Sequence, residues 1–436
     1  MNFSYREIKQ KLSNSSLFKD SLFAVFGNGM GNFLLLLSGI VIARFLGKDI
    51  YGEYGLVKTT MFHIAAFATL GLGFTSTRFV AKYKDSDNGL LKGTIYTSTV
   101  ITLMTSCVLC LLLFVFAGPL ANYLDEPRLA LPFKFLGVII ILKALSTTSG
   151  AILGGYKDFK TLGVNTVISG LSMLILGIGL TYIWGLKGSL TALALSQLLL
   201  CILNHASIHK SIIIPIRGVT YKNNYKTILK FTIPVALQEL SYTLSQWGTM
   251  LILTKFGSLG QVGLYSAAGQ WNAIILFIPS LLSNVVLSYL SGASSDKEQK
   301  KTVRLMLLIN LSTTFLPFLI VFLLSGFIVG FYGETFIGMK SVMNILVFST
   351  IFDCMSRVFQ SNLISEGKNW LLFTFRATRD TAALVLAYVL LSPQPESAAK
   401  ILAVIHLLIC FVYFLLMGIE YLITHRKEVV PKLTNI

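Results

Sequence analysis

Twelve apolar stretches of about 20 residues run along this chain and decide what it can fold into. A helix of about 20 apolar residues crosses the hydrocarbon core of a bilayer. The stretches are continuous instead of alternating, which favours helices over the strands of a barrel. The sequence therefore predicts an all-α integral membrane protein with twelve transmembrane helices. The predicted spans are residues 22–45, 54–77, 94–117, 132–153, 162–184, 188–208, 230–254, 263–289, 304–330, 340–362, 371–391 and 399–424.

The composition excludes several classes of soluble protein. Charged residues make up 13% of the 436 residues, about half of their share in a soluble domain. So few charges cannot cover a water-exposed globule, which excludes a soluble enzyme, a nucleic-acid-binding domain and a disordered chain. The five cysteines all lie in apolar runs, and Cys107 and Cys110 have no histidine or second cysteine pair nearby. We interpret them as packing residues and expect no metal or cofactor.

Lysine and arginine are unevenly distributed between the two sets of loops. With the amino terminus in the cytoplasm, the inner segments hold 23 of the 36 Lys and Arg residues and the outer segments hold 8. Cytoplasmic loops of multi-pass proteins carry such an excess, which faces anionic lipid. The net charge of +17 is therefore interpreted as a sign of membrane lipid and not of nucleic acid. Both termini are predicted to be cytoplasmic.

The two halves of the chain match each other at a constant offset of 211 positions. Each half would hold six spans, so both halves enter the membrane in the same direction and form a parallel repeat. The sequence predicts an N-terminal lobe at 1–208, a cytoplasmic linker at 209–229 and a C-terminal lobe at 230–436. The matched pairs include Arg44 with Lys255, Gly52 with Gly263, Tyr54 with Tyr265, Lys157 with Lys368, and Phe159 with Trp370.

Two packed six-helix lobes with a cavity between them are typical of an alternating-access transporter. A channel is disfavoured because no segment looks like a selectivity filter or a short re-entrant helix. Outer loops of hardly more than about fifteen residues disfavour a membrane enzyme of glycan assembly, which would need a folded outer loop to hold its acceptor.

Three segments carry a resemblance to a known family. Residues 42–55 (IARFLGKDIYGEYG), 71–81 (GLGFTSTRFVA) and 256–265 (FGSLGQVGLY) resemble polysaccharide biosynthesis flippases of the Wzx type. These flippases belong to the multidrug/oligosaccharidyl-lipid/polysaccharide (MOP) exporter superfamily, and the likeness covers nearly the whole chain. It implies a MATE-like fold of two six-helix lobes around a central cavity.

The resemblance also implies a function and a location. The substrate would be an undecaprenyl-pyrophosphate-linked oligosaccharide, such as a repeat unit of O-antigen, capsule or exopolysaccharide. It would move from the cytoplasmic to the outer leaflet of the bacterial inner membrane, without enzymatic chemistry. Membrane lipids and other polysaccharide-assembly proteins are the expected partners. Peptidoglycan-precursor flippases of the superfamily usually have fourteen spans, which disfavours that subgroup for a chain with twelve.

A flippase must pass an anionic head group through the bilayer, so its cavity should be polar and net cationic. Arginine suits pyrophosphate because its planar guanidinium binds two oxygens. Lys143 lies about 17 Å from the outer end of its span, near the middle of the membrane, and is the strongest single candidate. The candidate substrate-binding residues are Lys143, Arg379, Arg376, Arg357, Lys58, Arg44, Asn28 and Asn32.

Each candidate also has a structural interpretation. Arg357 follows Asp353 by four residues, and Arg376 precedes Asp380 by four, so internal ion pairs are expected as readily as substrate contacts. Arg376 and Lys58 could extend to the nearby membrane surface. Arg44 matches Lys255 in the other half and could hold the interface in both lobes.

The first span offers a second set of candidates. Asn28 and Asn32 would bind either sugar hydroxyls or a neighbouring helix. Gly27 and Gly31 have the spacing of a close helix contact. Trp247 and Trp271 are weaker candidates for stacking on a sugar.

Embedded carboxylates are candidates for coupling to an ion gradient. Glu239 lies about 13 Å from the inner end of its span, and a carboxylate at that depth can exchange a proton as its hydration changes. We expect Glu239 or Asp353 to couple transport to protons or Na⁺, the alternative being a hydrogen-bonded structural role. A drug/cation antiporter of the same architecture is the second interpretation of the chain. It is disfavoured because five embedded cations outnumber three carboxylates and the first span has no carboxylate.

Overall fold

The computed structural model describes residues 16–215, 218–223, 225–291, 296–392 and 394–427. The prediction that both termini are cytoplasmic concerns residues 1–15 and 428–436, which lie outside these ranges. Within the described ranges the chain is helical, with α-helices at α1 Ser16–Thr69, α2 Leu72–Tyr83, α3 Asn88–Tyr123, α4 Ala130–Tyr156, α5 Phe159–Ile208, α6 Tyr225–Phe256, α7 Leu259–Ser291, α8 Asp296–Tyr332, α9 Met339–Ser365, α10 Asn369–Leu391 and α11 Ala398–Lys427.

Eleven of the twelve predicted spans coincide with a helix or with one arm of a bent helix, and the second runs past the end of α1 into α2. α1 bends at Gly47 (φ 69°) and α5 bends at Gly185 (φ 55°), and each therefore holds two predicted spans. Positive φ values of this kind favour glycine. Among the described residues, seven helical segments are long and apolar enough to cross a membrane, and the segments in α1 and α5 measure 44 and 55 residues. At a rise of about 1.5 Å per residue, each of these two is long enough for two crossings.

The second predicted span, 54–77, is interrupted, where the sequence predicted one continuous helix. α1 ends at Thr69, and the chain turns through Leu70 (φ 47°) and Gly71 (φ 73°) before α2 begins. The Gly71 carbonyl oxygen accepts a hydrogen bond from the Thr75 hydroxyl at 3.3 Å, so this acceptor at the break is satisfied. The first helix pair therefore contains a backbone break next to Glu239 of α6.

By spatial contact the chain divides into two compact units. One comprises Met1–Leu46 with Glu53–Trp247, and the other comprises Gly47–Gly52 with Gly248–Ile436. The boundary between the two units in this part of the chain falls inside α6, between Trp247 and Gly248, and not in the connection at 209–229. The functional division into lobes at this connection stays a prediction.

Small residues bring helices together in the first unit. A Cβ on Gly27 would lie 2.7 Å from the Cα of Gly163, and one on Gly31 would lie 2.6 Å from the Thr166 side chain. The first arm of α1 therefore packs closely on the first arm of α5, as the glycine spacing predicted. A Cβ on Gly137 would meet the Cys110 sulfur at 2.8 Å, which agrees with Cys110 as a packing residue.

The second unit contains a contact between equivalent positions of the repeat. A Cβ on Gly52 would lie 1.8 Å from the Leu259 carbonyl oxygen, and a Cβ on Gly263 would lie 2.0 Å from the Lys48 carbonyl oxygen. Lys48 and Leu259 are separated by 211 positions, as are Gly52 and Gly263. The two segments thus cross at their glycines with a local twofold relation, as a self-complementary contact requires.

Candidate functional site

Two lysines predicted from sequence come together inside the first unit. Tyr54, Lys58 and Phe62 follow one another at four-residue spacing in the second arm of α1, so they share a helix face. The Lys143 ammonium of α4 lies 4.8 Å from the centre of the Phe62 ring, and that of Lys58 lies 5.9 Å from the Tyr54 ring. Lys58 and Lys143 are close enough for their charges to repel each other.

The lysine pair has no acidic partner in the part of the chain that the structure describes. Neither Lys58 nor Lys143 forms an ion pair there, and both side chains are partly buried. Aromatic faces stabilise an ammonium by roughly 0.5–2 kcal/mol, which offsets part of the cost of burying it. Two neighbouring cations held on aromatic rings form a site suited to an anion with more than one negative charge. The proximity of the lysines was not foreseen from the sequence, because they are 85 positions apart.

The second unit holds a cluster in which cations and carboxylates are paired. Arg357 donates to Asp353 at 2.9 Å, as the four-residue spacing predicted. Arg379 donates to Asp380 at 2.8 Å and also lies over the Tyr413 ring at 4.8 Å.

The expected pair between Arg376 and Asp380 is wrong. Asp380 pairs with its neighbour Arg379, and the Nε of Arg376 instead donates to the Gln360 side chain at 3.1 Å. A helix does not place adjacent residues face to face, but the long arginine side chain reaches back to the carboxylate.

His406 of α11 completes the cluster in the second unit. It lies near enough to Asp353 for their charges to interact, and its Nε2 is 3.7 Å from the Cys410 sulfur. Neither His406 nor Tyr413 was singled out from the sequence, because both lie on α11 and reach the cluster only in the folded chain. Among the described residues no group of three His, Cys, Asp or Glu residues could hold a metal ion.

Glu239 faces a separate, mostly apolar cavity in the first unit. The cavity measures about 240 Å³ and lies between α6 and the break after α1, with Leu70 and Gly71 in its wall. Thr232 and Thr243 are the other polar side chains that line it. Glu239 belongs to the first unit and Asp353 to the second.

The remaining candidates lie on the first arm of α1. Arg44 is exposed near the end of that arm, whereas Asn28 and Asn32 are partly buried, each one position after a glycine that packs on α5. No described contact joins these three residues to the lysine pair.

Both tryptophans have structural hydrogen bonds. The Trp247 ring N–H donates to Thr60 at 3.2 Å, and that of Trp271 donates to Tyr332 at 3.0 Å. Each bond gives the indole N–H group an acceptor, which is usual for tryptophans that are largely buried.

A family model for polysaccharide biosynthesis proteins matches residues 41–341, more than half of the chain. The chain belongs to the polysaccharide biosynthesis protein family. The family expected from the sequence resemblance is thereby confirmed. The match includes the second arm of α1, Lys58 and Lys143, and ends near the start of α9.

One relative of known role is the succinoglycan biosynthesis transport protein ExoT of Rhizobium meliloti (strain 1021). It is 23% identical over 261 residues, which are 58% of this chain and 47% of that protein. The match thus spans about half the length of the relative.

Solved structures share the fold at low identity. An inward-facing multidrug resistance MATE family transporter of the MOP superfamily superposes with a TM-score of 0.78 at 14% identity, over 93% of this chain and 99% of that chain. The lipid II flippase MurJ in an inward closed conformation gives 0.70 at 15% identity, over 95% and 94%. These likenesses confirm the expected all-helical, MATE-like fold.

Proposed function

We propose that this protein is a flippase that moves an undecaprenyl-pyrophosphate-linked oligosaccharide from the cytoplasmic to the outer leaflet by alternating access. The observation that carries the proposal is the lysine pair Lys58 and Lys143. Family membership, the transport role of a relative and the fold shared with a lipid II flippase support it. The protein would be a transporter and not an enzyme, with its termini in the cytoplasm of a bacterium and its helices in the inner membrane.

The charge of the lysine pair fits the head group of such a substrate. A pyrophosphate diester carries two negative charges, and two ammonium groups would neutralise them where the surroundings are poor in water. The oligosaccharide is polar and would follow the head group, while the polyprenyl tail would remain in lipid. A drug/cation antiporter would be expected to offer carboxylates to its substrate, whereas two of the three embedded carboxylates, Asp353 and Asp380, are paired with arginines.

The lysine pair is tested by single substitutions in the purified protein. Lys143→Ala should lower the rate of transfer of a labelled undecaprenyl-pyrophosphate sugar across proteoliposomes by about tenfold or more, because one of two charges on the substrate loses its partner. Lys143→Arg should keep most of the rate, since the charge remains.

Lys134→Ala is the matched control for Lys143→Ala. Lys134 lies on the same helix α4 and also stands over an aromatic ring, 5.2 Å from the centre of Phe114, but its side chain is exposed near the helix start. Equal rates in Lys143→Ala and Lys134→Ala would remove the lysine pair from the substrate path, and the proposed function would then lose the observation that carries it.

Coupling to an ion gradient is proposed for Glu239 in preference to Asp353. Asp353 is held in an ion pair with Arg357, whereas Glu239 faces a cavity beside a backbone break, where a proton or Na⁺ could exchange. Glu239→Gln should abolish the response of transport to a proton or Na⁺ gradient while leaving a slow, uncoupled transfer. If Glu239→Gln vesicles still accelerate when a gradient is imposed, the coupling role belongs to another residue.

A further inference from the structure

A cavity with a basic lining lies at the end of the first unit where α3 begins. It measures about 620 Å³, within the range of small-molecule sites. α3, the end of α5 and the connection that follows α5 form its walls. None of its nine lining residues is acidic.

One side of this cavity presents hydrogen-bond donors. Lys92 offers an ammonium group. His205 and His209 each offer at least one imidazole N–H donor. Tyr96 and Tyr221 add two hydroxyl groups. An anion entering here would meet donors from α3, from the end of α5 and from the connection that follows it.

The other side of the cavity is apolar. Ile95 and Ile208 are buried at 7% and 3% exposure, and Ile213 packs against the same core. Tyr96 is 61% exposed at the rim, so the cavity opens to the surface. Exposed tyrosines of this kind are typical of the level at which lipid head groups meet the hydrocarbon core.

The connection after α5 is fixed on α3 and completes the wall. Lys222 forms an ion pair with Asp87 at 2.7 Å, and the Lys92 ammonium donates to the Val219 carbonyl at 3.1 Å. The rings of Tyr96 and Tyr221 meet edge to face, with centres 5.6 Å apart. Lys222 also holds the pKa of the exposed Asp87 carboxyl below its ordinary value, chiefly by donating a hydrogen bond to it, so this contact persists at neutral pH.

We propose that this cavity binds the phosphate-bearing head group of a membrane lipid. Lys92, His205 and His209 would face the phosphate, and the isoleucines would face the start of the hydrocarbon chain or chains. A basic pocket between membrane helices at the interface is the arrangement that anionic head groups recognise. The lipid would be either a bulk anionic phospholipid or the polyprenyl phosphate carrier.

Native mass spectrometry of the full-length protein in detergent tests this site. Phosphatidylglycerol, phosphatidylcholine and undecaprenyl phosphate are added in turn, and the retained lipid is counted. The wild type should retain one molecule of an anionic lipid in preference to phosphatidylcholine. Lys92→Gln should weaken this retention about fivefold, the effect of one basic residue at a membrane surface.

A second variant separates lipid binding from the structure of the wall. The double substitution His205→Gln and His209→Gln leaves the bond from Lys92 to Val219 in place, and it should also weaken retention. Lys226→Gln is the control, because Lys226 is an exposed lysine outside the cavity. Retention of phosphatidylglycerol would identify a bulk lipid as the ligand, and preference for undecaprenyl phosphate would identify the carrier.

Two results would overturn the proposal. One is equal retention of anionic lipid by the wild type and both cavity variants. The other is displacement of the lipid by an equal concentration of inorganic phosphate, which would show that the apolar side takes no part. Because lipid retention is measured without transport, its failure leaves the proposed flippase function untouched.

Discussion

At the scale of the residue, the candidate cations inside the described helices are of two types. Lys58 and Lys143 lie on aromatic rings beside each other, whereas Arg357 and Arg379 are neutralised by neighbouring carboxylates. Buried ion pairs are weak evidence for stability, but removal of one partner is costly. The paired arginines are therefore expected to serve the fold of the second unit, and the lysines to serve the substrate.

Removal of the Asp380 carboxylate tests this division. Asp380→Asn removes the ion pair that Asp380 forms with the partly buried Arg379 guanidinium, so the variant should be destabilised by about 3 kcal/mol. The double substitution Arg379→Gln with Asp380→Asn should recover part of that loss, because no unpaired charge remains. Thermal unfolding in detergent measures both, and an Asp380→Asn protein as stable as the wild type would show that the pair does not support the fold.

Sequence reasoning reached some of these residue contacts and missed others for a physical reason. Asp353 and Arg357 are four residues apart, about one turn of helix, so their spacing in the sequence was sufficient to predict the ion pair. Lys58 and Lys143 meet only because α1 and α4 pack together, and no local pattern encodes that contact. His406 likewise joins its cluster only through helix packing.

At the scale of the helix, apolar length predicted the elements well. Eleven of the twelve predicted spans fall on a single helix or helix arm, because a helix satisfies the backbone hydrogen bonds of a continuous apolar segment in a bilayer. The bends at Gly47 and Gly185 also fall at predicted boundaries between spans. The break at Leu70 was missed, since a leucine with positive φ has no signature in the sequence.

The close contact of α1 with α5 gives a prediction with an internal control. Gly27→Val should destabilise the protein by about 2 kcal/mol, because the new side chain meets the backbone of Gly163 and must push the two helices apart. Gly179→Ala on α5 is the control, because nothing lies within 4 Å of its added Cβ, and a helical alanine should be neutral or slightly stabilising. Equal melting temperatures for the two variants in detergent would contradict this packing.

At the scale of the whole molecule, the sequence predicts two equivalent halves of six helices each. The offset of 211 positions, read from the sequence, reappears in space where Gly52 and Gly263 cross within the second unit. Equivalent halves in parallel orientation are a common basis for transporters that alternate between two open states. The MATE-like fold fits this prediction.

The central claim is that the chain moves an anionic lipid-linked sugar and not a cationic drug. The most direct measurement compares proteoliposomes that hold the wild-type protein with empty ones, using labelled undecaprenyl-pyrophosphate oligosaccharide in one arm and a fluorescent cationic dye in the other. The account predicts protein-dependent transfer of the sugar lipid between leaflets and no protein-dependent transfer of the dye. Protein-dependent dye transport with an immobile sugar lipid would contradict it.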